Sequence, residues 1–199
     1  MKEYKRIFYF MLIPIIFIIS NIIAPKITSI AGFPINPNVF IYPIMYFLLL
    51  LLVKQFNKKD AFMAIIFTTI LELIVIGIFE LTLLLPIENK NAFNISLFIV
   101  LKPNYLNTFA SVITFIISGF AGIKLYNQLN LKSSKISFFL TLISILMLDT
   151  ILYTIISGII IYSIHELSTI IVYKSILFIF ISIILCILLK LFSIKKKVK

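Results

Sequence analysis

The chain has 199 residues, 62% of them hydrophobic, and a mean hydropathy of +1.18. A water-soluble domain of this length is nearer half apolar, so the composition excludes an ordinary soluble fold and indicates an integral membrane protein. The formal charge of +11 does not indicate nucleic-acid binding, because the basic residues fall between apolar runs and not on one basic face; the single cysteine, Cys186, excludes a disulfide framework and a thiolate metal site.

In chain order, the apolar runs predict six helices, at roughly 7–24, 38–54, 61–86, 104–126, 136–163 and 169–192. The expected fold is an all-α integral membrane bundle of six transmembrane helices, a single domain over 1–199. The first run follows Lys2, Lys5 and Arg6, as a signal peptide would. Its end, Ile22-Ile23-Ala24-Pro25, lacks the paired small residues of a cleavage site, so an uncleaved first span is expected. The linker 25–37 holds Pro25, Gly32, Pro34 and Pro37, and reads as an extended or partly re-entrant loop. The second span is short and contains Pro43. Residues 95–101 are too few to cross a bilayer and are expected to lie in the interface.

Loop charges set the expected orientation. With the N-terminus in the cytoplasm, the inside segments hold Lys2, Lys5 and Arg6; Lys54, Lys58 and Lys59; Lys124, Lys132 and Lys135; and Lys190, Lys195, Lys196, Lys197 and Lys199. That is fourteen basic residues, against Lys26, Lys90 and Lys102 outside. The positive-inside rule is satisfied at every loop, so both termini are expected in the cytoplasm. The tail at 195–197 reads as an ordinary stop-transfer anchor in preference to an anionic-lipid contact.

Four charged residues interrupt the apolar runs: Glu72, Glu80, Asp149 and Lys174. A charge at the bilayer centre costs at least about 2.5–3.5 kcal/mol, so such residues face a partner or a cavity. Helix boundaries put Glu72 and Asp149 near the midplane, with Glu80 and Lys174 each about 9 Å from an outer end. Depth alone therefore lets Lys174 pair with Glu80 or snorkel outward. Two readings compete: a structural ion pair with hydrogen-bonded neutral acids, or a polar cavity for a solute in which one carboxylate also carries a proton. Asn21, ending the first helix, fits a cap or a ligand equally. Tyr153, one turn from Asp149, fits ring stacking or plain packing.

The other polar residues read more simply. His165 and Glu166 are expected in a solvated outer loop, and Cys186 as a small apolar side chain. Asn107, Ser111, Thr114 and Ser118 recur at helical spacing, a pattern of helix contact more than of binding. No phosphate loop, zinc-protease motif, nucleophile elbow or metal-ligand cluster occurs. No enzyme activity, cofactor or metal is expected.

The run Ser20-Asn21-Ile22-Ile23-Ala24-Pro25-Lys26, a glycine-bearing loop, Val39-Phe40-Ile41-Tyr42-Pro43 and the close at Asn57-Lys58-Lys59 resemble the start of the queuosine-precursor transporters, the VUT family. Phe109-Ala110-Ser111 leading to Leu125-Tyr126, then Asp149-Thr150 and Tyr173-Lys174, extend the resemblance over most of the chain. It implies six helices, import of a 7-deazaguanine such as preQ0 or preQ1 for tRNA modification, residence in the bacterial inner membrane, and distant kinship with the substrate-binding subunits of energy-coupling-factor vitamin importers. Asn21, Asp149 and Lys174 match the family pattern. Leu50 and Lys54 stand where the family has Asp and Glu, and Gly119 and Gly122 where it has Gln and Asp; Glu72 and Glu80 have no counterpart.

The expected substrate-binding set is thus Asn21, Glu72, Asp149, Tyr153 and Lys174. Asp149 would accept the adjacent N–H donors of the base, Asn21 would read its ring carbonyl and Tyr153 would stack. The expected partners are a small solute and the lipid bilayer, without nucleic acid; a homo-oligomer is compatible. An energy-coupling module is not expected, since the first helix lacks the small-residue pair such subunits use for docking. The alternatives are such a vitamin-binding subunit, or an accessory membrane protein with no solute.

Overall fold

A computed structural model describes residues 2–24, 28–30, 33–86, 96, 105–129, 134–158 and 163–192. The six expected spans are present as α1 (Lys2–Ile23), α2 (Asn38–Gln55), α3 (Lys58–Leu83), α4 (Tyr105–Gln128), α5 (Ser134–Gly158) and α6 (Ile164–Phe192). All six contain stretches long and apolar enough to cross a membrane. The chain is a multi-pass membrane protein built as an all-α bundle.

Between α1 and α2 the expected loop takes a more definite form. Two short strands, β1 (Thr28–Ile30) and β2 (Phe33–Ile35), pair antiparallel with Ser29 opposite Pro34. A proline fits a two-stranded hairpin because either strand is an edge, with one side free of ladder bonds. The interfacial segment expected at 95–101 lies outside the described residues apart from Ser96, as do 159–162 and the tail from 193.

Helix α6 begins at Ile164, five residues earlier than its apolar run suggests. Its start is a capping box. Glu166 Oε2 accepts from the Ser163 backbone N–H at 2.8 Å, and the Glu166 N–H points back to Ser163 Oγ at 3.3 Å. Such reciprocal bonds satisfy donors that a helix start leaves open. His165 and Glu166 are therefore exposed first-turn residues, not loop residues. Asn57 caps α3 in a related way, accepting from the Asp60 N–H at 2.8 Å.

Helix α2 occupies the centre and packs against all five other helices. Every residue from Met45 to Val53 is buried. A helix buried all round has no polar face to display, and the only charge on α2 is Lys54 in its last turn, whose ammonium lies 5.4 Å from the Phe138 ring centroid. Helix α3 is the contrast. Met63, Phe67, Ile70, Ile74 and Ile78 are exposed along it, as expected of a helix with one flank on lipid.

Two contacts hold the end of the bundle where α1 begins. Arg6 donates to Asp60, which is 4% exposed and also bonded by Asn57, and Tyr9 donates to Gln55 at 3.3 Å. Arg6 is thus more than a topology-setting charge. Deeper in, α4 approaches its neighbours closely: a Cβ on Gly122 would lie 2.1 Å from Ile145 Cδ1, and one on Gly119 would lie 2.7 Å from Ile65 Cδ1. At these two positions α4 is packed tightly on α3 and α5.

Candidate functional site

The polar residues converge at one depth. Asp149 lies nine residues before the end of α5, Lys174 ten residues into α6 and Glu72 eleven residues before the end of α3, each about 14–16 Å from its helix end. The longer α6 places Lys174 deeper than its apolar run implied. Glu80 is only three residues from the end of α3, about 4.5 Å, so it no longer shares a level with Lys174. The lysine belongs with Asp149.

Asp149 is 5% exposed and accepts from the Tyr46 hydroxyl at 2.7 Å, with the Tyr42 hydroxyl at 3.5 Å from the same Oδ1. The two tyrosines are one helical turn apart, so α2 presents both to one carboxyl. Lys174 acts electrostatically on Asp149, and its Nζ lies 5.1 Å from the Tyr153 ring centroid. Asp149, Lys174, Tyr153, Tyr42 and Ser111 line one cavity of about 30 Å³ that extends to Asn38, the first residue of α2. By volume it accommodates one or two water molecules. Behind Tyr42 is an aromatic cluster outside the lining: Phe17 lies 6.2 Å from Tyr42 and 4.7 Å from Phe115 between centroids, and Tyr46 lies 5.9 Å from Phe115.

Pro43 adds a backbone feature. It has no N–H to donate to the carbonyl four residues before it, that of Val39, and Val39 also lines the cavity. That carbonyl is an acceptor without its usual helical donor.

Asn21 and Glu72 stand one step behind the cavity and do not line it. Asn21 Nδ2 donates to Glu72 Oε1 at 2.9 Å, and Asn21 Oδ1 accepts from Ser111 at 2.7 Å. Both ends of the Asn21 side chain are thereby engaged within the protein. It is neither a terminal cap nor a group facing the cavity; Asn36 serves the end of α1 instead, donating to the Ala24 carbonyl at 2.6 Å. Ser111 joins the two groups, since it lines the cavity and holds Asn21. Of the helix-four polar row, Ser111 and Thr114 thus belong to the site: the Thr114 hydroxyl lies against the Ser111 carbonyl at 3.1 Å and also interacts with Asp149.

Each of the six helices contributes to this layer: Asn21 from α1, Tyr42 and Tyr46 from α2, Glu72 from α3, Ser111 from α4, Asp149 and Tyr153 from α5, and Lys174 from α6. Tyr42, Tyr46 and Ser111 were not singled out as site residues by their sequence context. The available signal was the pair of tyrosines at i, i+4 in an otherwise apolar span, because a buried phenol needs a partner for its O–H.

The positions where the resemblance calls for further polar lining are occupied differently. Leu50 is fully buried, and Gly119 and Gly122 sit where α4 meets Ile65 and Ile145. A Gln or Asp at either glycine would overlap a neighbouring helix. A wider recess of about 630 Å³ near the N-terminal end is edged by Lys58 and Lys124 over Phe62 and Phe120. No acid is among the residues that line it. Among the described residues no group of three or more His, Cys, Asp or Glu could hold a metal ion.

The fold and this layer define a polytopic helical membrane protein with a charged, hydrogen-bonded centre. No protein-family model, curated protein or solved structure matches the chain.

Proposed function

We propose that the chain imports a small solute across a bacterial cytoplasmic membrane, with both termini in the cytoplasm, and that the solute is a queuosine precursor of the 7-deazaguanine class such as preQ0 or preQ1. The observation that carries the reading is the Asp149 cavity. It combines an acid, a cation and the rings of Tyr42, Tyr153 and Phe178, with the Val39 backbone nearer its mouth. A flat heterocycle with adjacent N–H donors uses all four kinds of group. The cavity reaches the end of the bundle at which α2 begins, while α4 packs tightly on α3 and α5 at Gly119 and Gly122 on the other side. With the N-terminus inside, the site would be outward-directed, which supports import as the reading. At about 30 Å³ the cavity must widen around a base, so binding is expected to move the side chains that line it.

The exposed stripe of α1 bears on the vitamin-subunit alternative. Ile7, Met11, Ile15 and Ile19 are all large and all exposed. A face of this kind offers no close backbone approach to a docking helix, which favours a transporter acting without a coupling module.

Two measurements test the proposal. A reporter active only outside the cytoplasm, fused after Lys199, is expected to remain silent; activity would overturn the orientation. Purified protein is expected to gain thermal stability from preQ1 or preQ0 in a saturable way, by about 2.7 kcal/mol at a hundredfold excess over Kd. No stabilisation by either base, with stabilisation by a vitamin, would transfer the site to the vitamin-subunit class. Indifference to both would favour the accessory role.

A further inference from the structure

Glu72 is 3% exposed, and its carboxyl is only half satisfied. Oε1 accepts from Asn21, whereas Oε2 has no hydrogen-bond partner among the described residues. Among the described residues no cation pairs with it. The helices packed against α3 present Asn21 from α1, Ser111 from α4 and, from α2, the tyrosines of the Asp149 cavity. On α3 itself the nearest charged groups are Glu80 and Asp60, about 12 and 18 Å along the axis, and Asp60 is engaged by Arg6.

The hydroxyls near Glu72 depart from the habit of this chain. Thr82, Thr141, Ser144, Thr150, Ser157 and Thr169 each donate to the carbonyl four residues earlier in their helix. Thr68 lies one turn from Glu72 on the same face of α3, is fully buried, and has no partner for Oγ1. Ser118 on α4 is equally buried and unpartnered. Buried Ser20, beside Asn21, is also without a partner; three further cases, Thr69, Thr154 and Ser182, lie on α3, α5 and α6. Thr68 thus adds an unpaired oxygen one turn from Glu72 toward the start of α3, while Asn21 and Ser111 lead from Glu72 to the Asp149 cavity.

We propose that Glu72 is a proton-carrying site, distinct from the solute cavity, which takes up one proton at Oε2 and releases it on the side of Thr68. The neutral acid is the form that a half-satisfied buried carboxyl without a cation favours. Proton binding makes and breaks one O–H bond and changes no other. Asn21 is the positioning residue: it holds Oε1 and, through Ser111, passes a change at the solute cavity to Glu72. Coupling of the proton to uptake rests on the import reading above; the proton site itself does not.

The test uses the full chain, labelled with carbon-13 at glutamate, in phosphatidylcholine vesicles without solute. Infrared spectra at neutral pH are expected to contain the C=O band of a protonated glutamic acid. The band should be lost in Glu72→Gln, retained in Asp149→Asn, and shifted but not lost in Asn21→Leu, which removes the donor to Oε1. It should respond to pH and be the same in sodium as in choline buffer. Absence of the band at neutral pH, its persistence in Glu72→Gln, or its disappearance on adding sodium ion would overturn the proposal, the last in favour of a metal-cation site. With labelled preQ1 as probe, an inward proton gradient should accelerate uptake by wild-type protein but not by Glu72→Gln. If preQ1 is not a substrate the import reading fails, and the infrared band still decides the role of Glu72.

Discussion

Replacing Lys174 with methionine is expected to destabilise the folded protein by about 2 kcal/mol, below the range for breaking a buried ion pair, because Lys174 acts on Asp149 from beyond ion-pair distance. Lys174 is the cation that acts on the buried Asp149 carboxyl, and its ammonium also lies against the Tyr153 ring. Methionine fills similar volume, so the loss reports charge and not a cavity. Lys174 is only partly buried, which also keeps the effect below that range. Asp149→Asn in the same chain should recover much of the loss, giving a coupling energy of about 1–3 kcal/mol. The depths of Glu80 and Lys174 make that second pair a control: Glu80→Gln with Lys174→Met should add within about 0.5 kcal/mol. Equilibrium unfolding in detergent measures both cycles. Additive effects for Lys174 and Asp149, together with strong coupling to Glu80, would return the lysine to the outer end of the bundle.

That shift of partner shows where sequence reasoning reaches its limit in a membrane protein. The six spans were legible because apolar length alone distinguishes them. The start of α6 was not legible from hydropathy, because Ile164-His165-Glu166 is polar enough to resemble a loop. The Ser163-x-x-Glu166 spacing did carry the information as a capping box, and five more residues of helix moved Lys174 about 7.5 Å deeper. The centrality of α2 was hidden for a different reason. In lipid every helix is apolar, so an all-round apolar helix is not marked as the buried one. Its tyrosines gave the only clue, since Tyr46 is fully buried and its hydroxyl finds Asp149.

The charged members of the candidate site were legible individually, because each is too costly to leave against lipid. Their grouping was not. Asp149, Tyr153 and Lys174 line the cavity, whereas Asn21 and Glu72 are bonded to each other behind it. Separating the groups required the position of Ser111 between them, which spacing along α4 does not reveal. The glycines were ambiguous in the same way. As sequence, Gly119 and Gly122 carry no sign of their role; in the fold they are places where α4 approaches α3 and α5 closely.

Asp149→Asn is expected to weaken solute binding by about 1.5–3 kcal/mol, roughly ten- to a hundredfold, the difference between a charge-assisted hydrogen bond and a neutral one. The geometry refines how the carboxylate would act. Both tyrosines address Oδ1, at 2.7 and 3.5 Å, so a solute meets a carboxylate already oriented from one side. A carboxylate offers about four lone-pair positions, which leaves capacity for a pair of ring N–H donors approaching from the cavity. Asparagine keeps the shape and one acceptor oxygen, but its amide group donates where the solute also donates, so the second bond becomes a donor–donor clash. Binding of preQ1 to the purified variant, followed by calorimetry alongside a melting curve, separates this from general damage. Unchanged affinity in a variant of normal stability would assign Asp149 to the structural pair with Lys174 and move the solute site elsewhere.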